Sequence, residues 1–331
     1  MKKLFNPKKI FIIAEAGVGH FGSLSLGKKL IDAAKDSGAD AVKFQAYITE
    51  DLVDKKYKNW FFRYKSKEVN FGFLKKLSDY SKKKKILFLC TPHTETVIPW
   101  IKKLSLPIIK VGSGEIGNFH FLEKLMDLKK PLLISTGLHQ IKDLISLKKF
   151  LKKKNFSDYS ILYCSTIYPT KYKDLNLKAL EIYKKIFRDK IIGYSDHTQD
   201  DLACLSSLFF GAKIIEKHIS IKFNVKNSQD WKVSLNKKDF KIFVNKVRKI
   251  QKLLTDKNFI SSKLESKQKI WASKSIYVKK SICKNDKIKI SDIKFLRPGN
   301  GIPVAFFKKV IGKKFQRSIN SDYKLKYKDL S

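Results

Sequence analysis

The chain has 331 residues, 43 % of them hydrophobic and 12 % aromatic, with a formal charge of +41. That length and apolar content support a real core, exclude a disordered chain, and suggest one large domain with a smaller one. The charge raises nucleic acid as a partner, but the cations are almost all Lys spread over helical faces, with Arg confined to Arg63, Arg188, Arg248, Arg297 and Arg317; neither Arg-rich base readout nor an exposed aromatic platform is evident, so no nucleic acid is expected.

In chain order, Met1-Lys2-Lys3 before Ile10-Phe11-Ile12-Ile13 imitates a signal peptide. Glu15 cuts that run short and no small-residue cleavage site follows. No stretch approaches the ~20 apolar residues that span a bilayer, so a soluble, cytoplasmic protein without a membrane partner is expected. Short apolar runs then recur at Ile10–Ala14, Ala41–Phe44, Ile86–Cys90, Ile108–Val111, Leu132–Ser135, Ile161–Cys164, Ile191–Gly193 and Ala212–Ile215. Between them lie amphipathic stretches such as Leu24–Ser37, where Leu26, Leu30, Ala33 and Ala34 recur at helical spacing. Eight strand-then-helix units in about 240 residues predict an α/β fold of the (β/α)8 TIM-barrel type. The alternative, a doubly wound open sheet, lacks a GxGxxG after the first strand. Asn59–Asn70 is an aromatic, basic insertion after the second strand, read as a lid or a subunit contact.

The barrel is assigned to residues 1–255, a polar linker helix to 256–271, and a small module to 272–331. In that module Ser275–Val278, Ile288–Ile290 and Lys294–Leu296 read as brief strands, and Arg297-Pro298-Gly299-Asn300-Gly301 as a tight loop. Cys90, Cys164, Cys204 and Cys283 show no CxxC spacing and read as buried, reduced thiols.

TIM-barrel sites lie at the C-terminal ends of the strands. Read there in order stand Glu15, Lys43 with Gln45, Thr91, Lys110 with Ser113 and Glu115, Ser135 with Thr136, Ser165 with Thr166 and Tyr168, Ser195 with Asp196 and His197, then Lys217 and His218. Two inward Lys, several hydroxyls, two carboxylates and two His have the composition of a site for a small anion and a metal. Lys43 and Lys110 supply fixed charge, and Thr91, Ser135 and Ser195 supply donors, which suits a phosphate or carboxylate. The plain alternative for either Lys is a barrel-edge residue paired with Glu15 or Glu115. His197 and His218 would leave a two-ligand metal site open to water and a substrate oxygen, fit for Lewis-acid chemistry on a carbonyl. Each imidazole alone also reads as a hydrogen-bonded loop residue. Asp196 is either a partner that orients an imidazole or a turn residue. His20, His93, His120 and His139 lie near loops without a chemical assignment.

Taken together, these motifs resemble the sialic acid (N-acetylneuraminate) synthase family. The match runs through Ile13-Ala14-Glu15-Ala16-Gly17-Val18-Gly19-His20, Gly38-Ala39-Asp40-Ala41-Val42-Lys43-Phe44-Gln45, Lys110-Val111-Gly112-Ser113-Gly114-Glu115, Ser135-Thr136-Gly137, Tyr168-Pro169, Gly193-Tyr194-Ser195-Asp196-His197 and Glu216-Lys217-His218. Arg297-Pro298-Gly299-Asn300-Gly301 resembles the family's C-terminal antifreeze-like (SAF) domain, here 272–331. The resemblance implies condensation of phosphoenolpyruvate with an N-acetylmannosamine-type sugar to a nine-carbon 2-keto acid plus phosphate. It implies manganese or magnesium on His197 and His218, and phosphoenolpyruvate held by Lys43, Thr91, Lys110, Ser135, Tyr168 and Ser195, with Ser113 and Glu115 in the same motif. Glu15 and Asp230 would face the reacting centre and the sugar. Arg297 would reach the partner subunit's site in a domain-swapped homodimer. Departures from the family pattern fall at Gly19, Thr166, His93 and Trp231, and in the segment Lys222–Gln229 before Asp230. Several lie where the sugar should sit, so a legionaminic- or pseudaminic-type synthase using a di-N-acetylated hexose is the alternative. A third reading, a non-catalytic basic protein that binds a polyanion, finds no support in the rim composition.

Overall fold

The apolar runs form strands because both of their faces are covered, one by the barrel interior and one by helices. The computed structural model describes residues 9–226, 228–254 and 263–331. Its first eight strands are β1 (Phe11–Gly17), β2 (Ala41–Ala46), β3 (Leu87–Pro92), β4 (Ile109–Val111), β5 (Leu132–Ser135), β6 (Tyr159–Cys164), β7 (Ile192–Asp196) and β8 (Ile214–Ile219). They lie in sequence order and neighbours run parallel. β8 pairs back onto β1 from Phe11↔Ile214 to Glu15↔His218, which closes the ring. The fold is therefore a TIM barrel, and the open-sheet alternative is excluded. A two-residue strand, β9 (Ser234–Leu235), extends the edge of β8.

Side chains alternate across each strand, so every second residue faces the barrel axis. Phe11, Ile13, Ala41, Leu89, Ile108, Leu133, Leu162 and Ile214 form one apolar cluster that fills the barrel interior. Gly193 belongs to that layer because nothing larger fits: a Cβ there would lie 2.2 Å from Leu162 Cδ2 and 2.5 Å from the Ile214 carbonyl oxygen. The outward residues, Ile12, Val42 and Phe44 among them, pack with Leu30, Leu74, Phe121 and Phe240 of the helices in a separate, larger core. The helix Leu24–Asp36 starts at Ser23, whose side chain accepts from the Leu26 amide. Asn70 and Asn236 cap the helices Phe71–Lys83 and Lys237–Leu253 in the same way.

In the barrel one feature differs from the sequence reading. The strands run past their apolar segments, β1 to Gly17 and β8 to Ile219, so several polar residues expected beyond the strands lie within them. All but the first residue of a helix, Lys58–Lys65, lies within the insertion Asn59–Asn70, and Trp60 and Phe62 on it are exposed.

The chain divides into two compact units, Met1–Thr255 and Asp256–Ser331. Of the predicted linker, residues 256–262 lie outside the described residues, and the helix Lys263–Ala272 follows. In the second unit β10 (Ser275–Val278) and β11 (Ile293–Leu296) pair antiparallel over a core that includes Ile276, Val278, Phe315 and Leu325. Ile288–Ile290 is not a strand. Asp292 accepts from the Lys289 amide at 2.9 Å and folds the chain into a 3-10 turn, Ile290–Asp292. Cys90, Cys164 and Cys204 are buried as expected, whereas Cys283 is exposed. Among the described residues no helix is long and apolar enough to cross a membrane.

Candidate active site

Above the apolar plug the inward positions turn polar, and they line a cavity of about 410 Å³. Glu15, Lys43, Thr91, Lys110, Ser113, Glu115, Ser135, Tyr168, Ser195, His197, His218 and Asp230 all border it. The strand period explains this: Ile13 and Glu15, Ala41 and Lys43, Leu133 and Ser135 share a face two residues apart. Arg297 lies in the second unit, its guanidinium over the Trp271 ring at 4.9 Å.

Four residues of the predicted rim, Thr136, Ser165, Asp196 and Lys217, do not border the cavity. Thr136 donates to the Leu162 carbonyl and is hydrogen-bonded to the Tyr183 hydroxyl, each at 2.9 Å. Asp196 neither orients an imidazole nor merely shapes a turn: it is ion-paired to Lys217 on the outward face of β7 and β8, both fully buried.

The residue the sequence reading missed is Glu216. Its carboxylate lies 3.6 Å from Lys43 Nζ and 3.7 Å from Lys110 Nζ, and it accepts from Ser195 Oγ at 2.9 Å. The signal was present in Glu216-Lys217-His218, since a strand that turns His218 inward also turns Glu216 inward and Lys217 outward. Lys43 is further paired with Glu15 at 2.9 Å and donates to Thr91 Oγ1 at 2.9 Å. The plain pairing with Glu15 is thus present, inside the cavity. Lys110 donates to Ser135 Oγ at 2.6 Å. Gln45 donates to Glu15 Oε1 at 3.0 Å.

These contacts set the charges. Burial pushes the Glu15 carboxyl up to about 7, against the attraction of Lys43, so it exchanges a proton near neutrality. Burial also acts to raise Glu216, but Lys110 and Lys43 outweigh it and hold the carboxyl below its usual value. Lys110 is lowered by burial, with Glu216 opposing. For Lys43, burial acts to lower the ammonium, but Glu15 and Glu216 outweigh it and the value is raised.

His197 and His218 come together, with ring centroids 5.4 Å apart. His197 Nδ1 faces the Ser165 carbonyl and donates to it, so Nε2 keeps its lone pair and accepts from the Tyr168 hydroxyl at 2.8 Å. Burial lowers His197 to about 4 and takes His218 well below its ordinary value. Two neutral imidazoles bordering one cavity, with His197 Nε2 in contact with the Tyr168 hydroxyl, have the chemistry of transition-metal ligands. Among the described residues no three His, Cys, Asp or Glu converge on one point. An ion here would take its remaining ligands from water and substrate oxygens.

Asp230 opens the 3-10 turn Asp230–Val233 beyond β8. Its Oδ2 lies 3.0 Å from where a Gly17 Cβ would sit, a position also 3.4 Å from Glu15 Oε1 and 3.5 Å from Gln45 Nε2. Burial raises its carboxyl, and Lys67, Arg63 and Lys43 oppose. Thr166 borders the cavity, and so does His93, held neutral by burial and by Lys43 and Lys110 at about 3. His20 is wholly buried against Phe73 and Phe44. His120 is exposed beside Glu95, and His139 borders a separate small cavity.

A closed (β/α)8 barrel whose strand ends gather an ammonium pair, an imidazole pair and acidic groups defines a class: barrels built to work on small anions. The chain belongs to the NeuB family, whose sequence model matches residues 30–259. It is 34 % identical over 333 residues to N,N'-diacetyllegionaminic acid synthase of Campylobacter jejuni, covering 95 % of this chain and 98 % of the relative. It is 30 % identical over 335 residues to a pseudaminic acid synthase of the same species, covering 97 % of each. The solved N-acetylneuraminic acid synthetase of Leptospira borgpetersenii superposes with a TM-score of 0.75 at 31 % identity, covering 80 % of this chain and 91 % of that one.

Proposed function

We propose that the protein is a nonulosonic acid synthase that condenses phosphoenolpyruvate with an N-acetylmannosamine-type sugar, giving a nine-carbon 2-keto acid and phosphate. The observation that carries the reading is the convergence, in one cavity, of the Lys43–Glu216–Lys110 group with the His197–His218 pair. The names of relatives over nearly the full chain support a nonulosonic acid synthase, whichever of the two acceptor types it uses.

In this reading Lys43 and Lys110, with Thr91, Ser135 and Ser195, bind the phosphate and carboxylate of phosphoenolpyruvate, and Ser113, Glu115 and Tyr168 complete the wall. Glu216 keeps both ammonium groups charged in a buried site before that anion arrives. Glu15, Gln45 and Asp230 meet around Gly17 and accept or donate to the sugar hydroxyls. A bond forms from C3 of phosphoenolpyruvate to the aldehyde carbon, water adds at C2, and the C2–O bond to phosphate breaks. Glu15 holds the proton exchanged with the acceptor oxygen, and the barrel wall excludes bulk water. His197 and His218 would hold a manganese or magnesium ion, which when bound supplies Lewis-acid polarisation of the aldehyde. The second unit is assigned as an antifreeze-like (SAF) domain, with Arg297 serving the partner's sugar site in a domain-swapped homodimer, on the resemblance of Arg297–Gly301.

The alternative acceptor, a di-N-acetylated hexose of the legionaminic or pseudaminic type, is favoured by the departures at Gly19, Thr166 and Trp231 and by the names of the relatives. Phosphate should be released from phosphoenolpyruvate only when an acceptor and a divalent ion are both present. Release without an acceptor, or none with any mannosamine-like or diamino-hexose acceptor, overturns the reading; competition between the two acceptor types settles which is used.

A further inference from the structure

One polar side chain of the cavity wall has no task in the chemistry proposed so far. His93 follows β3, on which Leu89, Thr91 and His93 share the inward face two residues apart. Leu89 belongs to the apolar cluster, Thr91 accepts from Lys43 Nζ, and His93 borders the cavity one step further out. Among the described residues its ring nitrogens make no hydrogen bond and no ion pair.

The ring is held in place rather than swinging free. The His93 amide donates to the Ala46 carbonyl at 2.9 Å, which ties its backbone to the end of β2. On the neighbouring strand Lys110 and Gly112 share the inward face, and the missing side chain of Gly112 makes the room that the imidazole takes. A Cβ on Gly112 would lie 3.1 Å from His93 Cε1 and 3.6 Å from its Nδ1, with Nε2 farther away. The Tyr47 ring meets the imidazole edge to face, with centroids 6.4 Å apart.

The charges that act on this ring are ammonium groups. Burial lowers the imidazole, and Lys43 and Lys110 lower it further, to about 3, so it stands neutral with one N–H to give. A donor beside two ammonium groups, on the wall of a cavity that the protein does not fill, has an oxyanion as its fitting partner. The other donors there are partly engaged: Ser195 Oγ donates to Glu216, and Lys43 and Lys110 each donate to a hydroxyl.

We propose that His93 is a further substrate-binding residue of this site, its Nε2–H donating to an oxyanion of phosphoenolpyruvate held between Lys43 and Lys110. Phe at this position keeps a ring against Gly112 and Tyr47 and loses the donor. Gln loses the ring and keeps a donor at about the reach of Nε2. The identity of the anion rests on the synthase reading.

The test titrates phosphoenolpyruvate calorimetrically into the full-length protein with manganese, as wild type, His93→Phe and His93→Gln. His93→Phe is expected to weaken binding by about tenfold or more, and His93→Gln by less than about threefold. In turnover with N-acetylmannosamine or a di-N-acetylated hexose, KM for phosphoenolpyruvate should follow the same order while KM for the acceptor stays within about twofold. Inorganic phosphate and pyruvate, each competed against phosphoenolpyruvate, separate the two ends of the anion. The one whose affinity falls in His93→Phe carries the accepting oxygen; if neither falls, the assignment is overturned. Equal affinity in wild type and His93→Phe overturns it as well, and so does an equal loss in both variants, which marks a packing role. Binding weakened in His93→Phe, with no phosphate released from any acceptor, supports the donor and sinks the synthase reading alone. Unchanged binding with normal release does the reverse, and a wild type that does not bind phosphoenolpyruvate overturns both.

Discussion

Lys217 Nζ lies 2.5 Å from Asp196 Oδ2, and neither side chain is exposed at all. The pair sits on the outward faces of β7 and β8, where Asp196 and Lys217 are register partners. Tyr194 donates to Asp196 Oδ1 at 2.7 Å, Thr198 to Oδ2 at 2.9 Å, and Lys217 also donates to the Thr198 carbonyl at 2.6 Å. The residues next in sequence are His197 and His218. A saturated polar network behind the wall thus ties together the two strand ends that carry the imidazoles.

Removing one partner strands a charge with no water to reach it. Lys217→Met is expected to cost about 3–5 kcal/mol, because Asp196 would remain buried and uncompensated. The double variant Lys217→Met, Asp196→Asn should recover more than half of that loss, since an amide still accepts from Tyr194. Urea unfolding midpoints of the two variants check this; equal losses in both would show that the charge pairing is not what stabilises the strands.

Gly17 has φ +54, and the carboxylate of Asp230 lies 3.0 Å from where its Cβ would be. Gly17→Ala therefore strains the backbone by about 1–2 kcal/mol and pushes Asp230 away from Glu15 and Gln45. A rise in KM for the acceptor of roughly tenfold is expected, well above the change in KM for phosphoenolpyruvate. Steady-state kinetics in both substrates make the comparison.

Most of the barrel was legible because each strand carries its own apolar run and each run is followed by polar residues. The run could not show where a strand stops, since inward polar residues continue the pleat without continuing the hydrophobicity. Hence Glu15, Lys43 and His218 were found, while Glu216 was passed over and Asp196, Lys217 and Thr136 were placed on the wrong face. Asp230 was located by motif through an unlike segment, and only the three-dimensional approach to Gly17 puts its carboxylate beside Glu15. Arg63 and Lys67 border the cavity from a segment that the sequence marks only as an aromatic, basic insertion, without saying which of its cations turn inward.

His20 gives the protein a pH dependence separable from catalysis. It is fully buried, and burial lowers its imidazole from 6.5 to about 4. Because the folded value is the lower one, the unfolded chain takes up the proton first as pH falls. The neutral His20 contribution is whole above pH 6.5 and declines toward pH 4, by up to about 3 kcal/mol. His20→Phe should flatten the loss of stability across that window, whatever its effect at neutral pH. Chemical denaturation at half-unit steps of pH measures the slope; a slope unchanged by the substitution would assign it to other groups.

The imidazole pair is testable by binding alone. Manganese added to the wild type should give a bound signal in electron paramagnetic resonance, and His197→Ala and His218→Ala should each weaken that binding by at least about tenfold. Neither substitution should prevent folding, because both rings border the cavity rather than the apolar core. Manganese bound equally well by both variants would remove these two residues from the metal site.

Glu216→Gln separates charge from shape at the centre of the site. Gln still accepts from Ser195 Oγ, but Lys43 and Lys110 lose the carboxylate they share. Burial lowers the Lys110 ammonium and Glu216 opposes that effect, so without Glu216 the proton leaves Lys110 at lower pH. The alkaline limb of kcat/KM for phosphoenolpyruvate should therefore move toward neutrality, with a loss of about 100-fold at its former optimum. A uniform fall at every pH would mean that Glu216 acts by packing. A shifted limb with an unchanged acid side would mean that it acts by keeping the two lysines charged.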